Sequence, residues 1–305
     1  MSSYINEHIN NLYDKKIIIS GANGYIGREL ANQLISQEIE YIGIDKQENK
    51  KFSHLKLDLC SPSESVQLIS SSGCDYFIHA GTHSAQAYDN NFVESFTQDM
   101  NALRNIFTGL KSNPKCRLIY FSSSYVYSGI SRNNEVLETT PLSPSHNFGL
   151  GKSFFEQIIL RNYPDSIIFR LSSVFGGINS IHPNAITNMA LEAKKNKLLT
   201  VWGEGSRQMQ YIYIEDVVKY ILQSFPIDSG IYNLGANEYS TVLDTAKQIA
   251  KFFDVEIKNI SDKKEGFTLP FMNNKKILSA TNIDFTSNQS ANLNTYLSRL
   301  VKSIK

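Results

Sequence analysis

The sequence has few cysteines, and none of them forms a recognisable pattern. Cys60, Cys74 and Cys116 are widely spaced in 305 residues, with neither a CxxC motif nor a Cys/His pattern around them. Their odd number and spacing argue against a disulfide framework or a cysteine-based metal site. We expect free or buried thiols in a reducing compartment, so the sequence predicts a cytoplasmic protein without a bound metal.

Long apolar runs and an excess of one charge are also missing. No run approaches the roughly 20 apolar residues of a membrane span, and the start, MSSYINEHINNLYDKK, is too polar for a signal peptide. The formal net charge of +1 provides no general electrostatic reason to expect nucleic acid or a membrane as a partner. With 41% hydrophobic and 19% charged residues, the composition is that of an ordinary globular protein.

What the sequence does contain is a regular alternation of strand and helix patterns. Apolar, β-branched runs occur at 15–20, 40–45, 75–81, 117–123 and 166–173, and helical patterns at 28–37, 91–110 and 149–162. Such alternation predicts a parallel sheet covered on both faces, the Rossmann-type doubly wound α/β fold.

The alternation changes after Ser173, which suggests a second domain. We expect a dinucleotide-binding domain at 1–172, with a returning segment at about 214–235. Residues 173–213 and 236–305 are expected to form a smaller C-terminal α/β domain that binds the substrate.

Three glycines lie between the first predicted strand and the first predicted helix. In SGANGYIG, Gly21, Gly24 and Gly27 have the spacing needed for a tight turn and a close approach of the backbone to a pyrophosphate. The helix that follows would direct its N-terminus at this negative charge. The pattern predicts dinucleotide binding, whereas plain turn glycines are the less favoured interpretation.

Acidic residues after the next two strands bear on the choice of cofactor. Asp45 ends the second strand, 24 residues after Gly21, where a carboxylate can bind the ribose hydroxyls and repel a 2′-phosphate. Lys46 is adjacent and could contact a phosphate. Asp58 follows the third strand and could reach the adenine or cap a helix. NAD is therefore the expected cofactor.

Together these residues resemble the extended short-chain dehydrogenase/reductase family, in its NAD-dependent nucleotide-sugar epimerase/dehydratase branch. The resemblance covers roughly residues 15–235. It is carried by an ordered set of motifs: SGANGYIG (20–27), Asp45, HAG (79–81), FSSSYVYSG (121–129), FGLGK (148–152), RLSSVFG (170–176) and GEGSRQMQYIYIEDVV (203–218).

The resemblance implies a set of binding residues. For the cofactor, it adds Asn23, Tyr25, Ile26, Leu59, Ala80, Gly81, Thr82 and Lys152 to the positions named above. For a nucleoside diphosphate-sugar substrate, it implies Ser84, Ser124, Ser173 and Arg207, of which Arg207 would contact the pyrophosphate. Ser173 departs from the asparagine that relatives often have there.

The catalytic positions implied by the resemblance are Ser123, residue 148 and Lys152. In the family, a serine or threonine binds the reacting oxygen, and a tyrosine four residues before a lysine carries the proton. Spacing i, i+4 places the last two side chains on one face of a helix. Here the tyrosine position is Phe148, so the hydroxyl is missing.

Phe148 leaves two interpretations open. Either the site is complete except for its proton carrier, through a natural or an engineered replacement, or Phe148 is a packing aromatic in a catalytically silent dinucleotide sensor or regulatory protein. In the first case binding survives and turnover is very slow. Tyr125 and Tyr127 are nearby phenols whose reach the sequence does not determine.

Missing residues also narrow the reaction that the resemblance implies. The Asp-Glu pair of 4,6-dehydratases is replaced by Ser124 and Tyr125, and Ser124 also takes the place of the cysteine of 3,5-epimerase/reductases. Redox chemistry at C4 remains, and Asp45 favours a 4-epimerase or 4-dehydrogenase over a 4-ketoreductase. Apolar residues on the helices at 91–110 and 149–162 further predict a homodimer through a four-helix bundle, as in related enzymes.

Overall fold

The structure, a computed structural model, describes residues 12–49, 51–177, 184–281 and 289–303. Its strands are β1 (Ile17–Ser20), β2 (Tyr41–Asp45), β3 (Leu55–Lys56), β4 (Tyr76–His79), β5 (Arg117–Ser123), β6 (Glu135–Val136), β7 (Ile167–Leu171), β8 (Ser173–Phe175), β9 (Leu198–Trp202), β10 (Gln208–Met209), β11 (Tyr211–Tyr213), β12 (Gly230–Leu234), β13 (Ser240–Thr241), β14 (Glu256–Ile260) and β15 (Phe271–Met272). Its helices are α1 (Tyr25–Ser36), α2 (Pro62–Ser72), α3 (Ala85–Asn90), α4 (Phe92–Leu110), α5 (Asn147–Asn162), α6 (Ala185–Asn196), α7 (Ile214–Gln223), α8 (Val242–Phe253), α9 (Lys275–Thr281) and α10 (Gln289–Ser303), with a 3-10 helix at Ser124–Tyr127.

A seven-stranded sheet confirms the predicted α/β class. Its order is β12-β7-β5-β4-β1-β2-β3, and the pairs that β1 forms with β2 and β4 are parallel. The chain moves outward from β1 through β2 to β3, then returns to the other side of β1 for β4 and β5. This reversal is the switch point of a doubly wound Rossmann-type sheet, where the carboxyl ends of adjacent strands leave a crevice for a ligand.

The third strand is shorter than its sequence pattern suggests. The apolar alternation of HLKLDL covers 54–59, but β3 contains only Leu55 and Lys56. The strand ends because Asp58 starts a turn: its carbonyl accepts a hydrogen bond from Ser61 N at 2.9 Å, and its side chain accepts one from Cys60 N at 2.9 Å. A local side-chain bond of this kind competes with strand pairing.

The chain divides into two compact units. The first comprises 1–129, 141–170 and 218–232, and the second 130–140, 171–217 and 233–305. In the first unit, the strands pack against α2, α4 and α5 through buried apolar side chains that include Phe77, Ile106, Leu118, Phe155 and Ile159. The substrate-binding role expected of the second domain stays a prediction.

The second unit has its own core and small sheets. Buried Phe175, Leu199, Ile249 and Tyr296 bring together β8, β9, α8 and α10. β14 pairs with β9, and β11 pairs with β8, both in parallel. The smaller C-terminal part is therefore also α/β.

Candidate active site

The turn after β1 and the start of α1 require glycine where the backbone packs most closely. Gly21 has a φ of +66°, and a Cβ added to it would lie 2.4 Å from the Cα of Gly81 at the end of the neighbouring strand. A Cβ on Gly27 would lie 2.2 Å from the carbonyl oxygen of Gly21. Gly24 is the N-cap of α1 and provides no side-chain cap, so the positive end of the helix dipole lies at this turn, where it favours an anion.

A cavity of about 290 Å³ opens at this turn in the first unit. Most of the residues predicted to bind the cofactor line it: Gly21, Asn23, Gly24, Asp45, Lys46, Asp58, Leu59, Ala80, Gly81 and Thr82. Tyr25, Ile26 and Gly27 instead form the first turn of α1. The tight glycine turn and the helix N-terminus fit a dinucleotide pyrophosphate, and the carboxylates farther along the cavity fit its adenosine.

Asp45 is held in place by the backbone. One carboxylate oxygen accepts from Asn23 N at 3.0 Å and the other from Gln47 N at 2.9 Å. Asp58 does not cap α2, because the N-cap residue is Ser61. Of the two roles that the sequence left open for Asp58, the structure therefore removes the capping one and leaves the side chain on the cavity wall.

Lys152 is buried at the centre of the predicted catalytic group. It is 2% exposed, and its Nζ donates to Thr82 Oγ1 at 2.9 Å, to the Tyr120 hydroxyl at 3.2 Å and to the Phe121 carbonyl at 2.8 Å. Burial lowers the pKa of Lys152 to about 8, although the negative charges of Asp99 and Glu156 oppose the shift. The ammonium is therefore held by oxygen atoms from β5 and from the loop after β4.

Phe148 lies one turn before Lys152 on α5, as the spacing predicts. The Lys152 Nζ is 5.4 Å from the centre of the Phe148 ring. Tyr88 and Tyr125 contact the same ring edge-on, at centroid distances of 5.5 and 5.8 Å. Position 148 is half-buried. Its ring lies close to Lys152, but phenylalanine has no hydroxyl that could form a hydrogen bond with the lysine.

Ser123 is the last residue of β5. It forms a hydrogen bond with Tyr125, whose ring contacts Phe148. It is 8% exposed, and its Oγ accepts from Tyr125 N at 3.3 Å. The hydroxyl of Tyr127 is engaged elsewhere, since it accepts a hydrogen bond from Arg170, and Tyr127 is fully buried. Of the two nearby phenols, Tyr125 has a ring contact with Phe148 that the structure describes.

The residues predicted to bind substrate are spread over both units. Ser84 caps α3 by accepting from Ala87 N at 3.3 Å, and Ser124 is 5% exposed at the start of the 3-10 helix. Ser173 begins β8 in the second unit. Arg207, in the same unit, has a buried Nε that forms no hydrogen bond with any residue in the described part of the chain.

The sequence reading missed Asp99 and His83. Asp99 lies on α4, and His83 N and Nδ1 both donate to its carboxylate, the latter at 2.7 Å. The Asp99 side chain is only 3% exposed. The helical pattern indicates Asp99, because it lies on the apolar face of α4 with Phe96 and Leu103. A carboxylate on such a buried face needs hydrogen-bond partners.

Within the described ranges, no group of histidine, cysteine and acidic side chains is arranged to hold a metal ion. In the same part of the chain, every helix is too short or too polar to cross a membrane. The three cysteines are free thiols.

Comparisons with known proteins agree with this geometry. The model of a family described as "NAD dependent epimerase/dehydratase family" matches residues 17–254. A trifunctional UDP-glucose 4,6-dehydratase/UDP-4-keto-6-deoxy-D-glucose 3,5-epimerase/UDP-4-keto-L-rhamnose-reductase of Arabidopsis thaliana is 26% identical over 271 residues, which cover 79% of this chain and 40% of that protein. The chain thus spans well under half the length of this plant relative.

Two further proteins cover most of the chain. A dTDP-glucose 4,6-dehydratase of Neisseria gonorrhoeae is 23% identical over 274 residues, which cover 79% of this chain and 78% of the relative. The crystal structure of a UDP-glucose 4-epimerase with UDP-glucose from Thermotoga maritima has a TM-score of 0.84 at 15% identity and covers 95% of this chain and 100% of its own. This structural likeness demonstrates a shared fold.

Proposed function

Because the chain belongs to the NAD dependent epimerase/dehydratase family, whose cofactor is NAD, we propose that it performs redox chemistry at C4 of a nucleoside diphosphate-sugar. The reaction is a 4-epimerisation or a 4-dehydrogenation/ketoreduction. Bound NAD supplies the hydride acceptor. Phe148 occupies the position of the usual proton carrier, so the chain binds both ligands but moves the proton slowly.

The observation that carries this proposal is the pairing of Phe148 with Lys152. The lysine remains buried one helical turn away, and its Nζ lies 5.4 Å from the ring centre. A buried ammonium is costly unless it is well paired, and a chain that needed only a packed core would be more stable with an apolar residue there. Retaining Lys152 beside an aromatic ring of the same shape as tyrosine supports a ligand-binding site that has lost one oxygen.

The residues after Ser123 support redox chemistry without loss of water. A dehydratase needs an acid and a base at these two positions, and this chain has Ser124 and Tyr125. Ser124 is almost fully buried, and the Tyr125 ring packs edge-on against His146 at 4.7 Å. Neither group is ionisable near neutral pH in the manner of a carboxylic acid, so elimination of water from the sugar lacks its catalyst.

Arg207 supports binding of a diphosphate. Its Nε is buried and has no hydrogen-bond partner among the described residues, and an unsatisfied buried donor costs about 1–3 kcal/mol. The loop around it favours anions, because the N–H groups of Ser206 and Arg207 both donate to the Glu265 carboxylate, at 3.1 and 2.6 Å. A phosphate oxygen that reached Nε would satisfy this donor.

We also propose that the protein is a homodimer. Val93 on α4 is 71% exposed, and Leu150 and Phe154 on α5 are 50% and 41% exposed. The Phe154 ring is 5.2 Å from that of Phe96, so these two helices form one continuous apolar surface. Covering it with the same surface of a second copy would build the four-helix bundle expected from the sequence.

A second candidate function is a silent NAD-binding regulatory protein. This candidate is favoured by the hydrogen bonds of the Lys152 Nζ. The three N–H groups of the ammonium already donate to Thr82, Tyr120 and Phe121. Such a protein binds the cofactor without turning over a sugar, and restoring a hydroxyl at position 148 would leave it silent.

The change Phe148→Tyr separates the two candidates. Returning a general acid/base should raise turnover by about 10²–10⁴-fold, with little change in the affinity for NAD or for the sugar nucleotide. The assay incubates the protein with a panel of nucleotide sugars and follows NADH absorbance and the products by mass spectrometry and NMR.

Phe154→Tyr is the matched control, since it adds the same hydroxyl to an exposed ring on the same helix. It should leave turnover unchanged. If the Phe148→Tyr protein is inactive on every nucleotide sugar of the panel, the C4 proposal fails and the silent binder becomes the better description.

A further inference from the structure

His83 and Asp99 form a pair that neither the fold nor the predicted catalytic positions require. His83 follows β4, and its backbone N and its Nδ1 both bond the Asp99 carboxylate, with Nδ1 at 2.7 Å. Tyr88 donates its hydroxyl to the other carboxylate oxygen at 2.9 Å. Asp99 is thus a buried carboxylate whose partners fix it in one orientation.

The Asp99 carboxylate determines which nitrogen of His83 carries the proton. Burial alone would raise the pKa of Asp99, but the hydrogen bond from His83 and the positive charge of Lys152 outweigh it and hold the pKa below its usual value. An ionised carboxylate can only accept hydrogen bonds, so Nδ1 is the protonated nitrogen of the neutral ring. Nε2 then has a free lone pair.

Nε2 of His83 has no hydrogen bond to a residue that the structure describes. The hydrogen bonds of His83 to described residues involve only its backbone N and Nδ1. His83 lines the same cavity as Gly21 and Thr82, and its side chain is 26% exposed. An imidazole fixed through Nδ1 by a buried carboxylate, on a residue that lines a cavity, is an arrangement suited to proton transfer.

The pair shares its neighbours with Phe148. Tyr88 contacts both, since its hydroxyl bonds Asp99 and its ring lies 5.5 Å from the ring of Phe148. Lys152 is 5.4 Å from the Phe148 ring and bonds Thr82, the residue next to His83. His83 is therefore linked to position 148 through shared neighbours, by Asp99 and Tyr88 on one side and by Thr82 and Lys152 on the other.

We propose that His83, oriented by Asp99, takes up and returns the proton of the sugar hydroxyl in place of the phenol missing at position 148. This inference rests on the proposed C4 chemistry. His83 is the catalytic residue, and Asp99 is a positioning residue that acts through it.

When the sugar is oxidised, the O–H bond breaks, its proton forms an Nε2–H bond on His83, and its electron pair forms the new carbonyl bond. The hydride of the same carbon leaves to the oxidised nicotinamide cofactor. The imidazolium so formed is stabilised by the Asp99 carboxylate, and the reverse step returns the proton to the oxygen.

A double-mutant comparison tests the proposal. His83→Gln should lower the turnover of the native chain by about 10²-fold. In the Phe148→Tyr background, where the phenol carries the proton, the same change should cost less than about threefold.

Nitrogen-15 NMR of the imidazole provides a readout that needs neither cofactor nor turnover. At a pH where the ring is neutral, His83 should be protonated at Nδ1, and Asp99→Asn should abolish this preference. Asp99→Asn should also lower the turnover of the native chain. In the Phe148→Tyr background it should have little effect on turnover.

Four outcomes would overturn the proposal. Equal losses from His83→Gln in both backgrounds would assign His83 to binding or structure, and a neutral ring protonated at Nε2 would remove its role as a base. A native chain without turnover, beside an active Phe148→Tyr protein, would overturn the role of His83 and leave the proposed C4 function intact. If neither form turns over any nucleotide sugar, both proposals fail.

Discussion

At the residue scale, we expect Asp45 to set the preference of the cavity between NAD(H) and NADP(H). Its two oxygens are held by Asn23 N and Gln47 N, so the negative charge stays at the end of β2. A 2′-phosphate placed there meets like charge. We expect NAD(H) to bind more tightly than NADP(H) by ~1–3 kcal/mol, and Asp45→Ala to remove most of this difference. Calorimetry with both cofactors measures it.

A surface carboxylate provides the control for this experiment. Glu48 is near Asp45 in the chain, is 73% exposed and pairs with Lys56. Glu48→Ala removes one negative charge and should leave the preference for NAD(H) unchanged. Equal affinities of the native chain for the two cofactors would contradict the role of Asp45.

At the scale of single elements, the end of β4 carries a histidine that must stay neutral. His79 is 1% exposed, and its Nδ1 lies 2.7 Å from Ser20 Oγ. Burial, assisted by the charge of Lys152 and opposed by that of Asp99, lowers the pKa of His79 from 6.5 to about 4. At pH values between these two pKa values, His79 is protonated in the unfolded chain and neutral in the folded chain. The free energy of unfolding therefore decreases as the pH falls.

His79→Gln should remove this pH dependence. Relative to the variant, the native chain should lose roughly 2 kcal/mol of unfolding free energy between pH 7 and pH 5. Urea unfolding of both proteins at the two pH values measures the difference. If both proteins lose the same unfolding free energy between pH 7 and pH 5, the protonation of His79 does not change on unfolding.

A second element, α5, is placed by a glycine. A Cβ on Gly149 would lie 2.1 Å from the carbonyl oxygen of Tyr125, so the helix packs directly on the 3-10 helix that follows Ser123. Gly149→Ala should force the two apart and cost about 1–3 kcal/mol of unfolding free energy. Urea unfolding measures the loss.

Ile35→Ala is the comparison on α1, because Ile35 is 52% exposed and lies outside the apolar surface of α4 and α5. It should change the unfolding free energy by no more than about 0.5 kcal/mol. If Gly149→Ala is as stable as Ile35→Ala, the close approach of α5 to the 3-10 helix does not hold.

At the scale of the whole molecule, the apolar surface on α4 and α5 predicts the assembly. Phe154→Arg places a charge at a side chain that is 41% exposed in the single chain. In a dimer this charge would be buried without a partner, at a cost of several kcal/mol. Light scattering at micromolar concentration should give a dimer mass for the native protein and a monomer mass for the variant.

Trp202→Glu tests whether any exposed aromatic has this effect. Trp202 is 52% exposed in the second unit, and its replacement should leave the dimer mass unchanged. A monomer mass for the native protein would rule out the predicted interface.

The sequence by itself determined what depends on local spacing. The alternation of strands and helices, the glycine turn after β1, the place of Asp45 at the end of β2 and the single turn between Phe148 and Lys152 all follow from periodicity and backbone geometry. These features involve residues that are close in the chain, and a local pattern is sufficient to place them.

Only the tertiary structure decided which distant groups meet. Thr82 holds Lys152 although 70 residues separate them, and His83 bonds Asp99 across 16 residues. A helical pattern indicates that Asp99 faces inward, but its partners come from another strand end and another helix. Their meeting is set by strand order and packing, because side-chain contacts between elements depend on three-dimensional position and not on spacing along the chain.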